Sequence, residues 1–216
     1  MMRARWIIAL AATLWLAAYG RDRLDHWIDA TILPPLTVAT SIEVLDRDGD
    51  LLRAFTVADG RWRLALPPDK VDPDYIAMLL AYEDKRFYDH PGVDPRSMLR
   101  AVLQAAWNGR VISGGSTLTM QVARLLEEGT TGQVGGKLRQ MRVALALERR
   151  LTKDQILQLY LHLAPFGGNL EGVRAASISY FGKEPLRLTP AEAALLVAIP
   201  QSPEVRRPDR AADRAE

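Results

Sequence analysis

The chain has 216 residues, with 28 Lys+Arg against 26 Asp+Glu, 48% hydrophobic residues and no Cys. That length and apolar content support one domain with a real core plus one or two appendages and exclude a disordered chain. The lack of Cys excludes a disulfide scaffold and any thiolate metal site, and a net charge of +2 is too mild to argue for a nucleic-acid partner.

The first landmark is the uncharged run Trp6 to Tyr19, set between Arg3 and Arg5 on one side and Arg21 and Arg23 on the other. It reads as a membrane segment, although roughly 22 Å of helix falls short of a ~30 Å hydrocarbon core and needs the flanking Arg and Trp side chains to snorkel. Small-x-small cleavage signals after Tyr19 are poor, so an uncleaved anchor is expected rather than a signal peptide. Residues 1–5 then form a cytoplasmic N-terminus, 6–20 a transmembrane anchor, and 21–40 a juxtamembrane linker of short helix closed by Pro34 and Pro35.

Over 41–70 the pattern shifts to short alternating runs punctuated by Asp48-Gly49 and Asp59-Gly60, which predicts a small β region with tight turns. Asp46, Asp48 and Asp50 do not make a calcium loop, because the glycine is misplaced and Val57 stands where the bidentate Glu should be. From Pro73 the chain reads as helical to its end, near 73–89, 95–108, 117–127, 136–150, 153–162, 170–180 and 190–199. Asp94-Pro95 and Gly109 are start and stop signals for the second of these. Its Met98, Leu99, Leu103 and Trp107 either line the core or form a second apolar contact with lipid.

Three features carry chemistry. Ile76, Leu79, Leu80, Glu83 and Phe87 share one helical face, which puts a carboxylate in an apolar stripe. Such a group finds a cation, as a residue at the stripe's edge would, or is a candidate general base. Ser113-Gly114-Gly115-Ser116-Thr117 before a helix offers backbone N–H groups suited to an anion, with Thr117, Gln121 and Arg124 on one stripe; an ordinary loop and cap is the other reading. Lys137, Arg139, Arg142, Arg149, Arg150 and Lys153 concentrate positive charge on one helix, facing phosphate, lipid headgroups or water.

Read in order, several blocks resemble one family. They are Glu83-Asp84-Lys85-Arg86-Phe87-Tyr88-Asp89-His90-Pro91-Gly92, Gly114-Gly115-Ser116-Thr117-Leu118-Thr119-Met120-Gln121, and the basic helix ending Leu147-Glu148-Arg149. Ile156 to Leu161 with Tyr180-Phe181-Gly182-Lys183, and Ala191 to Leu196 closing with Pro200-Gln201-Ser202-Pro203, follow. The chain resembles the peptidoglycan glycosyltransferases of class A penicillin-binding proteins, and Ala164-Pro165-Phe166-Gly167-Gly168 looks like their C-type branch.

That resemblance implies a mainly α, lysozyme-like, two-lobed glycosyltransferase domain over 71–216, on the periplasmic side of the bacterial cytoplasmic membrane. The implied substrates are lipid II and the growing glycan chain, with other cell-wall synthesis proteins as further partners. Glu83 would be the general base of an inverting transfer that releases undecaprenyl pyrophosphate. Asp84, His90, Gly115, Ser116, Thr117, Gln121, Arg124, Lys137 and Gln140 would bind substrate or shape the site, with His90 orienting the segment after Glu83. The resemblance also allows a divalent cation such as magnesium at the leaving pyrophosphate.

The sequence departs from the family at Gln140, where a second Glu is usual, at Met120 in place of Gln and at His162 in place of Asn. The chain also stops where the family's last helix should begin, so a truncated product that binds no penicillin is expected. Two other readings stay open: a membrane-anchored inactive scaffold of the cell-wall machinery, and a lysozyme-like peptidoglycan hydrolase.

Overall fold

The structure is a computed structural model and describes residues 2–109, 115–127 and 134–208. In chain order these form α1 (Met2–Asp29), β1 (Ile42–Leu45), β2 (Leu51–Phe55), β3 (Trp62–Arg63), α2 (Pro73–Glu83), α3 (Pro95–Asn108), α4 (Leu118–Glu127), α5 (Val134–Glu148), α6 (Lys153–Leu163), β4 (Leu170–Glu171), α7 (Val173–Phe181) and α8 (Pro190–Ala198). The expected mainly α fold with a small β region is present. Ser113 and Gly114 of the glycine turn, and residues 209–216 of the expected 71–216 domain, lie outside the described residues.

Most helix ends follow from local chemistry. Asp94 accepts the backbone N–H groups of Arg96 and Ser97 at the start of α3, and Gly109 ends that helix at φ 65°. Thr152 and Thr189 each form a reciprocal capping box, with Gln155 on α6 and Glu192 on α8. Asp46 accepts from Asp48 N at 2.9 Å and Asp50 N at 2.8 Å, so the aspartate cluster is a turn as expected.

α4 is the centre of the fold and packs against α5 and α6, while α2 packs against α8. Leu118, Met120, Val122 and Ala123 of α4 are fully buried in one apolar cluster with Leu79, Ala144, Leu147, Ile156 and Leu196. The expectation that residues 73–89 form a continuous helix is corrected: α2 stops at Glu83 because Asp84 turns to extended backbone and buries its carboxylate.

The reading that everything after Pro73 is helical also needs correcting. β1 and β2 form the expected antiparallel hairpin, but β3 pairs in parallel with β4, placing Trp62 opposite Leu170 and Arg63 opposite Glu171. Beneath that pair, buried Glu171 binds Arg63, with Nε–H donating at 2.9 Å, and also Arg61. His162 adds a further tie, accepting the Leu66 N–H at 3.0 Å. Burial lowers its pKa despite its bond to the Gln158 backbone, which keeps the ring a neutral acceptor.

The transmembrane expectation is corrected as well. Residues 6–20 do form a helix, but no helix among the described residues is long and apolar enough to cross a membrane. The apolar run ends against Arg5 and Arg21, and α1 continues through Asp22, Arg23 and Asp25. Its last turn docks on α5: the Arg142 guanidinium lies 4.7 Å over the Trp27 ring, and Arg149 binds Asp25 and, at 2.6 Å, Asp29.

Glu171→Ala should cost about 3 kcal/mol, because it leaves the buried Arg63 guanidinium only Asp59 at 3.5 Å and the Ala39 carbonyl as partners. Arg61→Ala, at a more exposed guanidinium, should cost under about 1 kcal/mol. Urea denaturation of the two variants measures the difference.

Candidate active site

Glu83 is the last residue of α2 and half-buried. The sequence left Glu83 as either the partner of a cation or a candidate general base, and the structure holds it with amides rather than a cation. Gln121 Nε2 of α4 donates to one carboxylate oxygen at 2.8 Å, and Gln201 Nε2, just beyond α8, donates to the other at 3.1 Å. A carboxylate gripped by two neutral amides stays an acceptor without an ion-pair partner.

The next residue explains why Glu83 stands at a helix end. Buried Asp84 accepts the Leu118 N–H of α4 at 2.9 Å and lies 3.0 Å from His90 Nε2 through both oxygens. His90 Nδ1 accepts the Gly92 N–H at 3.2 Å, which leaves Nε2 as the protonated nitrogen. Gly92 sits at φ +94°, where a Cβ would come within 2.8 Å of the Ala144 carbonyl oxygen. Its own carbonyl accepts the Thr117 hydroxyl, and Thr117 Oγ1 accepts Met120 N at 3.1 Å. His90 thus ties Asp84 to Gly92 in the segment after Glu83, and Thr117 Oγ1 takes up a first-turn N–H of α4.

Two α4 first-turn donors, Leu118 N and Met120 N, are thus already bonded within the protein. Ser113 and Gly114 of the turn before them lie outside the described residues, and the cations nearby are side chains. Glu83, Asp84, Lys85, Arg86, Arg100, Ser116, Thr117, Gln121, Arg124 and Gln201 are among the residues lining a cavity of about 860 Å³. Lys137 of α5 reaches its wall by donating to Ser116 Oγ, and burial, with the charge of Arg124, lowers the Lys137 pKa. Gly115 allows the chain to pass the α3 backbone, since a Cβ there would meet Met98 Cα at 3.1 Å. Gln140, one turn beyond Lys137, is half-buried on α5 and is not brought to this cavity.

The remaining cations of the basic helix are engaged elsewhere. Arg139 pairs with Glu127, Arg142 and Arg149 hold α1, and Lys153 binds Glu148 at 2.7 Å. Sequence reasoning missed Gln201 and Arg206 as site residues. The signal for Gln201 was its place in the Pro200-Gln201-Ser202-Pro203 block, which carried the resemblance but no role for that residue.

The donor set does not fit a resident divalent cation. No group of three or more His, Cys, Asp or Glu that could hold a metal exists among the described residues. Asp84 is engaged by His90 and Leu118, and Asp94 by Arg86 and the α3 N-terminus. Burial opposes ionisation of Asp94, but the Ser97 and Arg86 hydrogen bonds prevail and hold it well below the usual carboxylate range.

A family model described as Transglycosylase matches residues 48–216. The chain belongs to the transglycosylase family. It is 49% identical to penicillin-binding protein 1C of Escherichia coli K12 over 216 residues, which is 99% of this chain and 27% of that protein. Penicillin-binding protein 1A of the same organism is 33% identical over 87% of this chain and 22% of its own length. Penicillin-binding protein 1F of Bacillus subtilis 168 is 33% identical over 91% of this chain and 27% of its own length. The chain thus spans about a quarter of the length of these relatives.

Asp84→Ala should leave the Leu118 N–H and His90 Nε2–H buried without acceptors, at about 1–3 kcal/mol each. Asp84→Asn, whose carbonyl serves one of them, should recover part of the loss. Thermal unfolding of both variants is the measurement.

Proposed function

We propose that the chain is a peptidoglycan glycosyltransferase that polymerises lipid II by inverting transfer. The observation that carries this reading is a half-buried carboxylate, held by Gln121 and Gln201, in one cavity with Arg124 and with Ser116, to which Lys137 donates. Glu83 takes the proton of the acceptor sugar 4-hydroxyl as its oxygen attacks the anomeric carbon of the donor chain. The bond from that carbon to the lipid pyrophosphate breaks, and the electron pair leaves on a phosphate oxygen. Arg124 and Lys137 neutralise the charge developing there.

Glu83→Gln tests this directly. Polymerisation of purified lipid II should fall by about 100- to 10,000-fold with the fold and lipid II binding retained, since the amide keeps volume but accepts no proton. Activity within about threefold of the parent would remove Glu83 from this role.

The intact amide grip on Glu83 supports a catalytic domain over an inactive scaffold. Arg124 in the same cavity, and Lys137 bonded to Ser116 of its wall, support transfer from a pyrophosphate over sugar-chain hydrolysis. A divalent cation would arrive with the pyrophosphate, since the protein's own carboxylates are engaged.

A lipid-linked substrate sets the domain at a membrane, and the outer face of the cytoplasmic membrane fits the family. Contact there runs through exposed apolar residues. Leu99, Val102, Leu103 and Trp107 of α3 are open to solvent, Trp107 at 91% exposure, and α1 exposes Trp6, Ile7, Ile8 and Trp15. Of the two expectations for α3, burial in the core holds only in part and only for Met98, which packs against the cluster.

Lys137 supplies a signed test of the same reading. Its lowered pKa means that folding disfavours the protonated form, so below that folded pKa the charge lowers stability. The loss diminishes as pH rises through the folded pKa. Lys137→Met should therefore raise the denaturation midpoint at pH 7 while reducing use of lipid II at limiting concentration. A variant that polymerises normally there would return Lys137 to a structural role.

A further inference from the structure

Gln201 stands between two cavities. Besides the cavity around Glu83, a second of about 820 Å³ is lined by Arg61, Arg63, Leu125, Leu163 and Glu171, and both share Arg124, Pro200 and Gln201. The amide is held from both ends. Its nitrogen donates to Glu83, and its oxygen accepts from Arg206 Nη1 at 3.1 Å and from the Tyr82 hydroxyl at 3.5 Å. The opposite orientation would set an oxygen against the carboxylate and an NH2 against a guanidinium, so the amide has one arrangement here.

Arg206 is itself anchored. The same guanidinium nitrogen donates to the Ala198 carbonyl at 2.8 Å, where a cation meets the C-terminal end of α8. A chain of contacts then runs from the α8 terminus through Arg206 and the Gln201 amide to Glu83. Gln121 closes the grip from α4. The amide passes on the polarising effect of the guanidinium without bringing a full charge into contact with the carboxylate.

We propose that Gln201, braced by Arg206, is a positioning residue that aims the Glu83 carboxylate. The inference rests on the reading of Glu83 as the base. Glu83 is faced by several charged and titratable groups: Tyr75 of its own helix, Tyr82, Asp84, Lys85 and Arg86 around its end, Asp94 and Arg100 from the α3 segment, Arg124 of α4, Tyr160 of α6, and Arg206 beyond α8. Gln201 is exposed, so its replacement leaves the core untouched.

The test is lipid II polymerisation by the full chain across pH, comparing Glu83→Gln, Gln201→Ala, Gln201→Glu and Arg206→Lys, with thermal unfolding of each. Gln201→Ala should lower kcat about tenfold with KM within about twofold, and move the acid limb of the kcat/KM profile to higher pH, because one donor to the carboxylate is lost. Gln201→Glu should move that limb further, since it adds a like charge, while Arg206→Lys should retain most of the activity. Full activity in Glu83→Gln would overturn the base reading itself. With Glu83→Gln inactive, a Gln201→Ala variant of unchanged kcat and pH profile would overturn only the positioning role. A raised KM with an unmoved profile would also overturn it and assign Gln201 to substrate contact, and activity lost in step with the melting temperature would mark a structural residue.

Discussion

Asp84 lies buried where α2 ends, and its carboxylate joins three stretches of chain: the end of α2, the His90 turn and the first turn of α4. A buried carboxylate persists only when its oxygens are bonded, so each partner is held as firmly as Asp84 itself. His90 can serve Asp84 only with Nε2 protonated, and Gly92 N secures that tautomer by donating to Nδ1. Gly92 in turn presses against α5 and accepts from Thr117, which caps α4. Glu83 occupies its place because the residue after it is pinned there.

The two carboxylates at this corner have opposite surroundings. Asp84 is enclosed and engaged with fixed donors, whereas Glu83 faces a cavity and is held by amides from α4 and from the segment after α8. An arginine in place of those amides would bring a full charge into contact and oppose proton uptake. Amides orient a carboxylate while leaving it able to accept a proton. Lys137 shows the complementary cost, a cation kept partly buried near the charge of Arg124.

The positive charge of α5 divides by helical position. Arg142 and Arg149 face α1, Arg139 faces Glu127, and Lys137 faces the cavity wall. A single basic strip in the sequence thus becomes an interhelical clamp along one part and a contact with Ser116 at the other. The clamp holds the end of α1 while the apolar residues nearer its start remain exposed, and α3 exposes its own apolar row. Exposure of this kind marks a surface that meets something other than water.

Much of the molecule was legible locally. Helix periodicity, the Asp94, Thr152 and Thr189 caps, the Asp48-Gly49 hairpin and the Glu83 block depend on residues within a few positions of one another, so the sequence alone determined them. It also carried the resemblance that the match over 48–216 bears out. Tertiary structure decided the rest. That α2 ends at Glu83 depends on Leu118 and His90, the β3–β4 pairing on residues more than a hundred positions apart, and the grip on Glu83 on Gln201, which stands 118 positions away. Those contacts have no local signature, because which amide, cation or carbonyl meets a given carboxylate is set by how α2, α4 and α8 pack. The apolar run of α1 has a related limit: composition suggested a membrane span, but crossing is a matter of length, and its apolar part stops short.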